Sequence, residues 1–447
     1  MATYAEKISA LTAELASGAA TMARVGLARE TSNLFRDRTT KAAPRINLKH
    51  FDRVLAVDPA AGTIEAEGMT TFVDLADAAL ARGTMPRVVP QLKSITLGGA
   101  LAGVGIEATS FRYGLVHDTI ASFEVLTGDG RVVTCRRDNE HRDLFYGFPN
   151  AYGTLGYALK VTQRTRPVKP FVHIEHHRYR DPATCFADVA QYAAQKDTDF
   201  LDGVVFEPGE LYLTRGAFVQ TAPYTSDYTF EDIYYRSIRD RASDFLTIRD
   251  YLWRWDTDWF WCSKNVGAQN PILRRLYGRD RLNSITYQKI MRWNSRHGFT
   301  RAWNRLRGVT PESVIQDVDI PIQRAAEFLE FFHAAVGILP VWICPIRAPA
   351  ASERFPLYPL KPDALYVNFG FWDVVRHPIE RPPGYCNRKI ERRVDALGGI
   401  KSLYSDSYFT PEEFWSVYDR EAYQALKARY DPRGVLGDLY AKTVLRR

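Results

Sequence analysis

The chain has 447 residues, 46% hydrophobic and 25% charged, which makes it ordinary globular material too long for a single hydrophobic core, so two domains are expected. Its formal charge of +7 favours an anionic partner, such as nucleic acid, phospholipid or a phosphorylated cofactor, without choosing among them. Five widely spaced cysteines with no C-x-x-C pair exclude a spaced zinc site and a disulfide framework, and no stretch reaches the roughly eighteen apolar residues of a membrane span.

The absence of a signal-type apolar core at the N-terminus adds to the expectation of a cytoplasmic protein. Residues 4–16 read as an amphipathic helix, and short strands are expected at 23–28 and 53–58. The polar run between them, ARETSNLFRDRTTKAAPR, offers Ser32 and Asn33 as donors and Arg29, Arg36 and Arg38 as charge. It suits a phosphate-holding loop and a plain solvated loop equally. Strand 63–67 breaks at Gly68, and Thr71 or Asp74 caps the helix that follows.

The stretch from Pro90 to Asp118, PQLKSITLGGALAGVGIEATSFRYGLVHD, asks for close backbone approach. Gly98 and Gly99 follow Thr96, and Gly103 and Gly105 come soon after, so the N–H groups of two turns can face one pyrophosphate. The spacing is neither the Rossmann fingerprint nor a P-loop. A hairpin is expected around Gly128-Asp129-Gly130, then Gly153 and Gly156, then a strand closing near Pro167.

Beyond Lys169, FVHIEHHRYR and LDGVVFEPGELYLTRGAFV alternate like strands of an antiparallel sheet, with a helix over 182–196 between them. His173 and His177 share one strand face, His176 takes the other, and no further ligand completes a metal set. From Tyr234 to Arg307, six of the nine tryptophans (Trp253, Trp255, Trp259, Trp261, Trp293 and Trp303) interleave with arginines. That mixture suits the headgroup zone of an anionic bilayer, with core packing and a homodimer interface as competing readings and nucleic-acid stacking as the weakest. After Pro311, SVIQDVDIPI reads as a strand and QRAAEFLEFFHAAV as an amphipathic helix. VWICPI and ALYVNFGF are apolar strands marked by Arg347, Tyr366 and Asn368, and KSLYSDSYF supplies Tyr404, Asp406 and Tyr408 before a capping box at Thr410 and Glu413.

The ordered segments T-L-G-G-A, G-I-E-A-T-S-F-R-Y-G-L-V-H-D, E-V-L-T-G-D-G-R-V-V and D-L-F-Y-G-F-P-N-A-Y-G-T-L-G resemble the FAD-binding domain of the vanillyl-alcohol oxidase superfamily. LPVWICPIRAP, ALYVNFGFW and GGIKSLYSDSYFTPEEFWSVYD resemble the branch that contains the Δ24-sterol reductases. The resemblance implies an α+β fold, with a two-part FAD-binding domain of PCMH type over residues 1–168 and an α+β cap with an antiparallel sheet over 169–425. The cap would include a Trp/Arg-rich membrane-facing insertion at about 226–310, and residues 426–447 would return to the first domain. FAD would lie on Thr96, Gly98, Gly99, Gly103 and Gly105, with Ile106, Glu107, Ala108, Thr109 and Ser110 running beside the flavin. Ser32, Asn33 and Leu34 would oppose them, and Gly153, Leu155 and Gly156 would meet the adenosine end. With no His in the first loop and no Cys in the second, the FAD is expected to be non-covalent.

A flavin exchanges a hydride, so one proton must be managed by the protein. Tyr404, Asp406 and Tyr408 are the proton candidates, with Asn368 and Arg347 as orienting groups. The expected reaction is reduction or desaturation of a CH–CH/C=C bond in a methyl- or methylene-branched fatty acyl chain of phospholipids. NADPH is the candidate electron donor, and the protein is expected to sit peripherally on an anionic membrane, since the N-terminal anchor of the sterol enzymes has no counterpart here. A sterol or isoprenoid side-chain reductase is the alternative, followed by an alcohol oxidase and by a peripheral membrane-binding protein without activity. No nucleic-acid partner is expected.

Overall fold

The structure is a computed structural model and describes residues 2–18, 26–28, 35, 45–297 and 308–447; Ser32, Asn33, Leu34 and Trp303 lie outside these residues. A short parallel pair, β1 (Gly26–Ala28) and β2 (Arg45–Asn47), stands beside the first sheet. That sheet holds β3 (Val54–Asp58), β4 (Thr63–Glu67), β5 (Thr84–Pro86), β6 (Ile120–Leu126), β7 (Val132–Arg136) and β8 (Tyr157–Pro167) in the order β3-β4-β8-β6-β7, with β5 also on β8. All its pairings are antiparallel. The expected Gly-Asp-Gly turn joins β6 to β7. Thr71 caps the helix at Phe72–Leu80 by accepting from the Asp74 N–H, and Leu75, Ala76 and Ala79 pack its buried side.

The second sheet contains β9 (Phe171–Tyr179), β10 (Phe200–Glu207), β11 (Glu210–Val219), β12 (Ser243–Thr247), β13 (Thr310–Pro321), β14 (Val341–Arg347), β15 (Leu365–His377) and β16 (Ile400–Lys401). Their order is β12-β9-β11-β10-β14-β15-β13-β16, and every neighbour is antiparallel. The period of two along each strand sorts its residues between two environments. Leu201, Val205, Val314, Val318, Val341, Ile343, Val367, Phe369 and Phe371 pack in one buried cluster with Phe186, Phe328, Phe332 and Ile390 from helices Pro182–Ala194, Ala325–Ala335 and Tyr385–Ala396. Each such side chain contributes about 1.5–3 kcal/mol by leaving water. Their alternates, among them Asp202, Trp342, Cys344, Asn368, Trp372, Asp317 and Asp319, take the opposite face, toward the first sheet.

The C-terminal segment packs against the first sheet's loops. In the helix Arg420–Tyr430, Arg429 pairs with Asp143 at 2.9 Å and the Tyr430 hydroxyl donates to the same carboxylate at 2.8 Å. Lys442 then reaches the Tyr152 carbonyl at 2.7 Å. The Trp/Arg segment is not a surface insertion as a whole: Trp253, Trp255, Trp259 and Trp261 are all buried, β12 pairs with β9, and Arg254 and Arg274 are enclosed in ion pairs. Aromatic rings at this density favour the core reading because a single fold can stack them on each other. What remains outside is confined to the helices Pro271–Tyr277 and Ser284–His297, where Ile272, Leu276 and Trp293 are more than half exposed. No described helix is long and apolar enough to cross a membrane.

Candidate active site

A cleft runs between the two sheets. One wall is glycine-rich: Pro90, Gln91, Thr96, Gly98, Gly99, Gly103, Val104, Gly105 and Ile106, continued by Gly153, Gly156 and Ala158. The other is aromatic: Trp259, Phe260, Trp342, Trp372 and Tyr404, with Phe35 stacked on Trp259 at 5.5 Å and Asp317 as the carboxylate among them.

The glycines are small for a reason other than the one their spacing suggests. A Cβ on Gly98 would lie 2.7 Å from the Gly68 carbonyl oxygen, and one on Gly105 would lie 2.6 Å from Val116 Cγ2 and 3.1 Å from Pro90 Cγ. Their missing side chains let neighbouring backbone close up behind the wall. The N–H groups are likewise not all free for an anion. Gly98 donates to Gly68 at 2.8 Å, Gly103 to Gly99 at 3.0 Å, and Gly99 to the Thr96 hydroxyl at 3.3 Å. Among the described residues it is the consecutive N–H groups of Val104, Gly105 and Ile106 that have no acceptor. These three residues line the cleft together with the buried Gln91, whose Nε2 is unpartnered among the described residues, so hydrogen-bond donors for a pyrophosphate are present there. The cleft therefore fits FAD.

Glu107, Ala108, Thr109 and Ser110 are fully buried beyond the end of this wall and do not line the cleft. Glu107 enters a buried ion pair with Arg254 at 3.3 Å, and Arg254 also holds Asp202 at 2.8 Å. The Trp255 and Trp342 indoles both donate to Asp202 at 3.2 Å, so this network fixes the aromatic wall from behind. Burial pushes the Glu107 carboxyl up to about 7, with Arg254 opposing. Leu155 is buried behind Gly153 and Gly156.

Trp259 and Phe260 carry φ values of 44° and 59°, a left-handed pair that bulky residues rarely adopt. Two carboxylates hold the turn in that shape. Asp256 accepts from the Lys93 N–H at 3.0 Å and the Ser284 hydroxyl at 2.7 Å, while Asp258 takes Arg274 at 2.7 Å and 2.9 Å. The strain aims both rings into the cleft.

Of the five proton-handling and orienting candidates, Tyr404 alone lines the cleft, and the Trp372 indole donates to its hydroxyl at 2.9 Å. Asn368 is buried one layer behind, donating to Asp319 at 2.8 Å. Asp406 and Tyr408 point away from it: Arg446 pairs with Asp406 at 3.4 Å and donates to the Tyr408 hydroxyl at 3.0 Å, so they tie down the C-terminus. Arg347 lines a separate cavity at the far end of β14.

Asp317 and Asp319 went unremarked in the sequence. The signal was there: carboxylates two apart on the strand VIQDVDIP must share one face. Burial pushes Asp317 up to about 7; the Tyr404 hydroxyl pulls it back, the neighbouring Asp319 charge adds to the rise, and Asn368 opposes it. Asp319 is raised by burial to about 6 while accepting from the Tyr358 hydroxyl at 2.7 Å. Among the described residues Asp317 Oδ1 has no hydrogen-bond partner. Gly370, directly across from Asp317 on β15, makes its room: a Cβ there would sit 2.7 Å from that oxygen.

Elsewhere Glu312, His377 and Cys386 bring ligand-type atoms within 4.8 Å of one another. Glu312 accepts the N–H groups of Cys386 and Asn387, each at 3.0 Å, so this carboxylate serves the first turn of the helix Tyr385–Ala396.

The FAD binding domain family matches residues 6–136. The chain is 25% identical over 405 residues to the Δ24-sterol reductase of Homo sapiens, spanning 87% of this chain and 75% of that one. It is 24% identical over 441 residues to a Δ24-sterol reductase homologue of Caenorhabditis elegans, covering 92% and 80%. Cytokinin dehydrogenase 7 of Oryza sativa subsp. japonica is 30% identical over 150 residues, 33% of this chain and 28% of that enzyme. With the open donors, the cleft and these relatives together, the chain carries an FAD binding domain and is similar along most of its length to Δ24-sterol reductases, in line with its resemblance to that branch of the vanillyl-alcohol oxidase superfamily.

Proposed function

We propose that this protein is an FAD-dependent oxidoreductase that reduces an isolated C=C bond in an apolar, isoprenoid-type side chain such as that of a sterol. Bound FAD supplies the two-electron hydride exchange. The residues to hold it are the open N–H groups of Val104, Gly105 and Ile106, with Gln91 at the edge. Trp259, Phe260, Trp342 and Trp372 exclude water and offer an apolar hydrocarbon its only favourable surroundings, without giving a polar substrate hydrogen bonds to recognise. Asp317 is the observation that carries the reading. It is the carboxylic acid on an otherwise apolar wall, with a free oxygen and a carboxyl raised to about 7, so near neutrality it can hold a proton on Oδ1 and give it to a carbon. Tyr404 keeps its own proton, because burial holds its phenol well above the ordinary range, and it positions Asp317.

The branched acyl chain expected from the sequence gains no support from the relatives, whose names state a sterol. An apolar substrate still needs a donor phase. Ile272, Leu273 and Leu276, exposed beside Arg275 and Arg279, suit peripheral contact with an anionic bilayer. NADPH is the proposed source of electrons.

The test is anaerobic turnover of the flavin-loaded protein with NADPH and a sterol bearing one side-chain double bond, read by mass spectrometry for the addition of two hydrogens. Reduction of a branched acyl phospholipid with the sterol untouched, or peroxide release from small alcohols in air, would defeat the proposal.

A further inference from the structure

We propose that the arginine-lined cavity at the far end of β14 binds an organic phosphate. It has a volume of about 360 Å³, and its lining shares no residue with the cleft. Trp342 lines the cleft and Arg347 the cavity, and the five-residue step between them along β14 corresponds to about 16 Å of strand. A ligand here is thus separate from the flavin site.

The charge balance inside the cavity is uneven. Four guanidinium groups, those of Arg112, Arg137, Arg164 and Arg347, face two carboxylates, Asp118 and Glu353. Arg137 takes Glu353 at 2.9 Å, which settles one pair. Arg112 donates to the carbonyls of Gln195, Lys196 and Thr198 at 3.1, 3.2 and 2.6 Å, acceptors that satisfy its hydrogens and leave its charge. The side chains of Arg164 and Arg347 have no hydrogen-bond or ion-pair partner among the described residues. Asp118 offsets little of this, because burial pushes its carboxyl up to about 7 and one of its oxygens already accepts from the Leu115 N–H at 2.7 Å. Burial and the charges of Arg137 and Arg87 lower the pKa of Arg164, with Glu353 opposing them.

Two free guanidinium forks beside a third uncompensated charge match the geometry of phosphate, which accepts paired N–H bonds and carries close to two charges near neutrality. The volume exceeds what a bare phosphate fills. Ala348, Pro349 and Ala350 give the remaining wall an apolar surface for the organic part of the ligand.

The experiment uses the flavin-loaded full chain. ADP serves as the soluble phosphate, and phosphatidylcholine vesicles containing phosphatidic acid present the same group as a lipid headgroup. Phenylglyoxal modification mapped by peptide mass spectrometry reads Arg164 and Arg347 in the unaltered protein, so it holds even where a variant fails to fold. Protection of both by ADP or by the vesicles is expected, and which of the two protects identifies the source. ADP affinity from calorimetry should fall at least tenfold in the Arg164→Gln, Arg347→Gln double variant and stay unchanged in Arg392→Gln, which alters an exposed arginine away from the cavity. Equal modification with and without both probes, or an unchanged affinity in the double variant, overturns the proposal.

Discussion

The glycine wall and the aromatic wall enclose the same cleft but are written into the chain differently. The first is nearly continuous, residues 90–106 with a second short run at 152–158, and its function lies in backbone that a side chain would displace. The second is assembled from Trp259 and Phe260 on a strained turn, Asp317 on β13, Trp342 on β14, Trp372 on β15 and Tyr404 beyond β16. Binding of a large common cofactor tolerates a local motif, whereas selection of one bond in one substrate requires side chains brought together from across the sheet.

The sharpest way to break this contrast is at Gly98. An alanine methyl there meets the Gly68 backbone oxygen at 2.7 Å and Ala158 Cβ at 3.2 Å, neither of which can swing aside. Gly98→Ala should therefore cost the flavin-loaded fold itself, seen as loss of bound flavin absorbance and of the cooperative unfolding transition. Gly130→Ala, whose Cβ would meet nothing within 4 Å, is the comparison: its strained φ of 88° should lower stability by about 1 kcal/mol and leave the flavin bound.

On the aromatic side, Asp317→Asn should retain flavin and lose about 10²- to 10⁴-fold in turnover. Because the acid form is the active one in reduction, the wild-type rate should be level below pH 7 and fall above it, and the asparagine variant should lose that dependence. A desaturase using the same carboxylate as a base would show the opposite slope. Stability runs against activity here. A folded-state value above the unfolded one gives stability that is complete below about pH 4 and lost as the pH rises through about 7, so above pH 7 Asp317→Asn should melt higher than the wild type.

What the sequence makes legible follows the same division. The Thr71 cap, the β6–β7 turn and the Thr410–Glu413 capping box depend on neighbours in the chain, and each stands where the pattern puts it, whereas the glycines line the cleft as room for backbone packed behind them rather than as a row of free donors. The cleft-facing set depends on strand order, β14-β15-β13, which no local pattern contains. Arg347 and Asn368 were attractive as polar residues on apolar strands, but the first lies past the end of the cleft and the second is spent on Asp319. The tryptophans read as a membrane surface because composition does not reveal whether rings face lipid or one another; Phe260 packs 4.4 Å from Trp372 and 4.8 Å from Trp255.

A smaller effect is expected at Trp372. Phenylalanine keeps the ring stack on Phe260 and removes the indole N–H that fixes Tyr404 at 2.9 Å. One neutral hydrogen bond is worth about 0.5–1.5 kcal/mol, so turnover should drop by about two- to twelvefold. Because Tyr404 acts on Asp317, the pH midpoint of the rate should also move upward, which simple loosening of the wall would not cause.

The smallest effect should come from Tyr408, and it separates the two walls from the scaffold around them. Its hydroxyl accepts from Arg446 at 3.0 Å, and its ring packs where a Cβ on Gly384 would lie 2.4 Å away. Tyr408→Phe keeps that packing and leaves Arg446 its ion pair with Asp406 at 3.4 Å, so the cost is confined to one hydrogen bond outside the cleft. Turnover should stay within about twofold of the wild type with the pH midpoint unmoved. A large loss there would mean that the KSLYSDSYF segment reaches the substrate through Tyr408 as well as Tyr404, and the proton path would have to be redrawn around that hydroxyl.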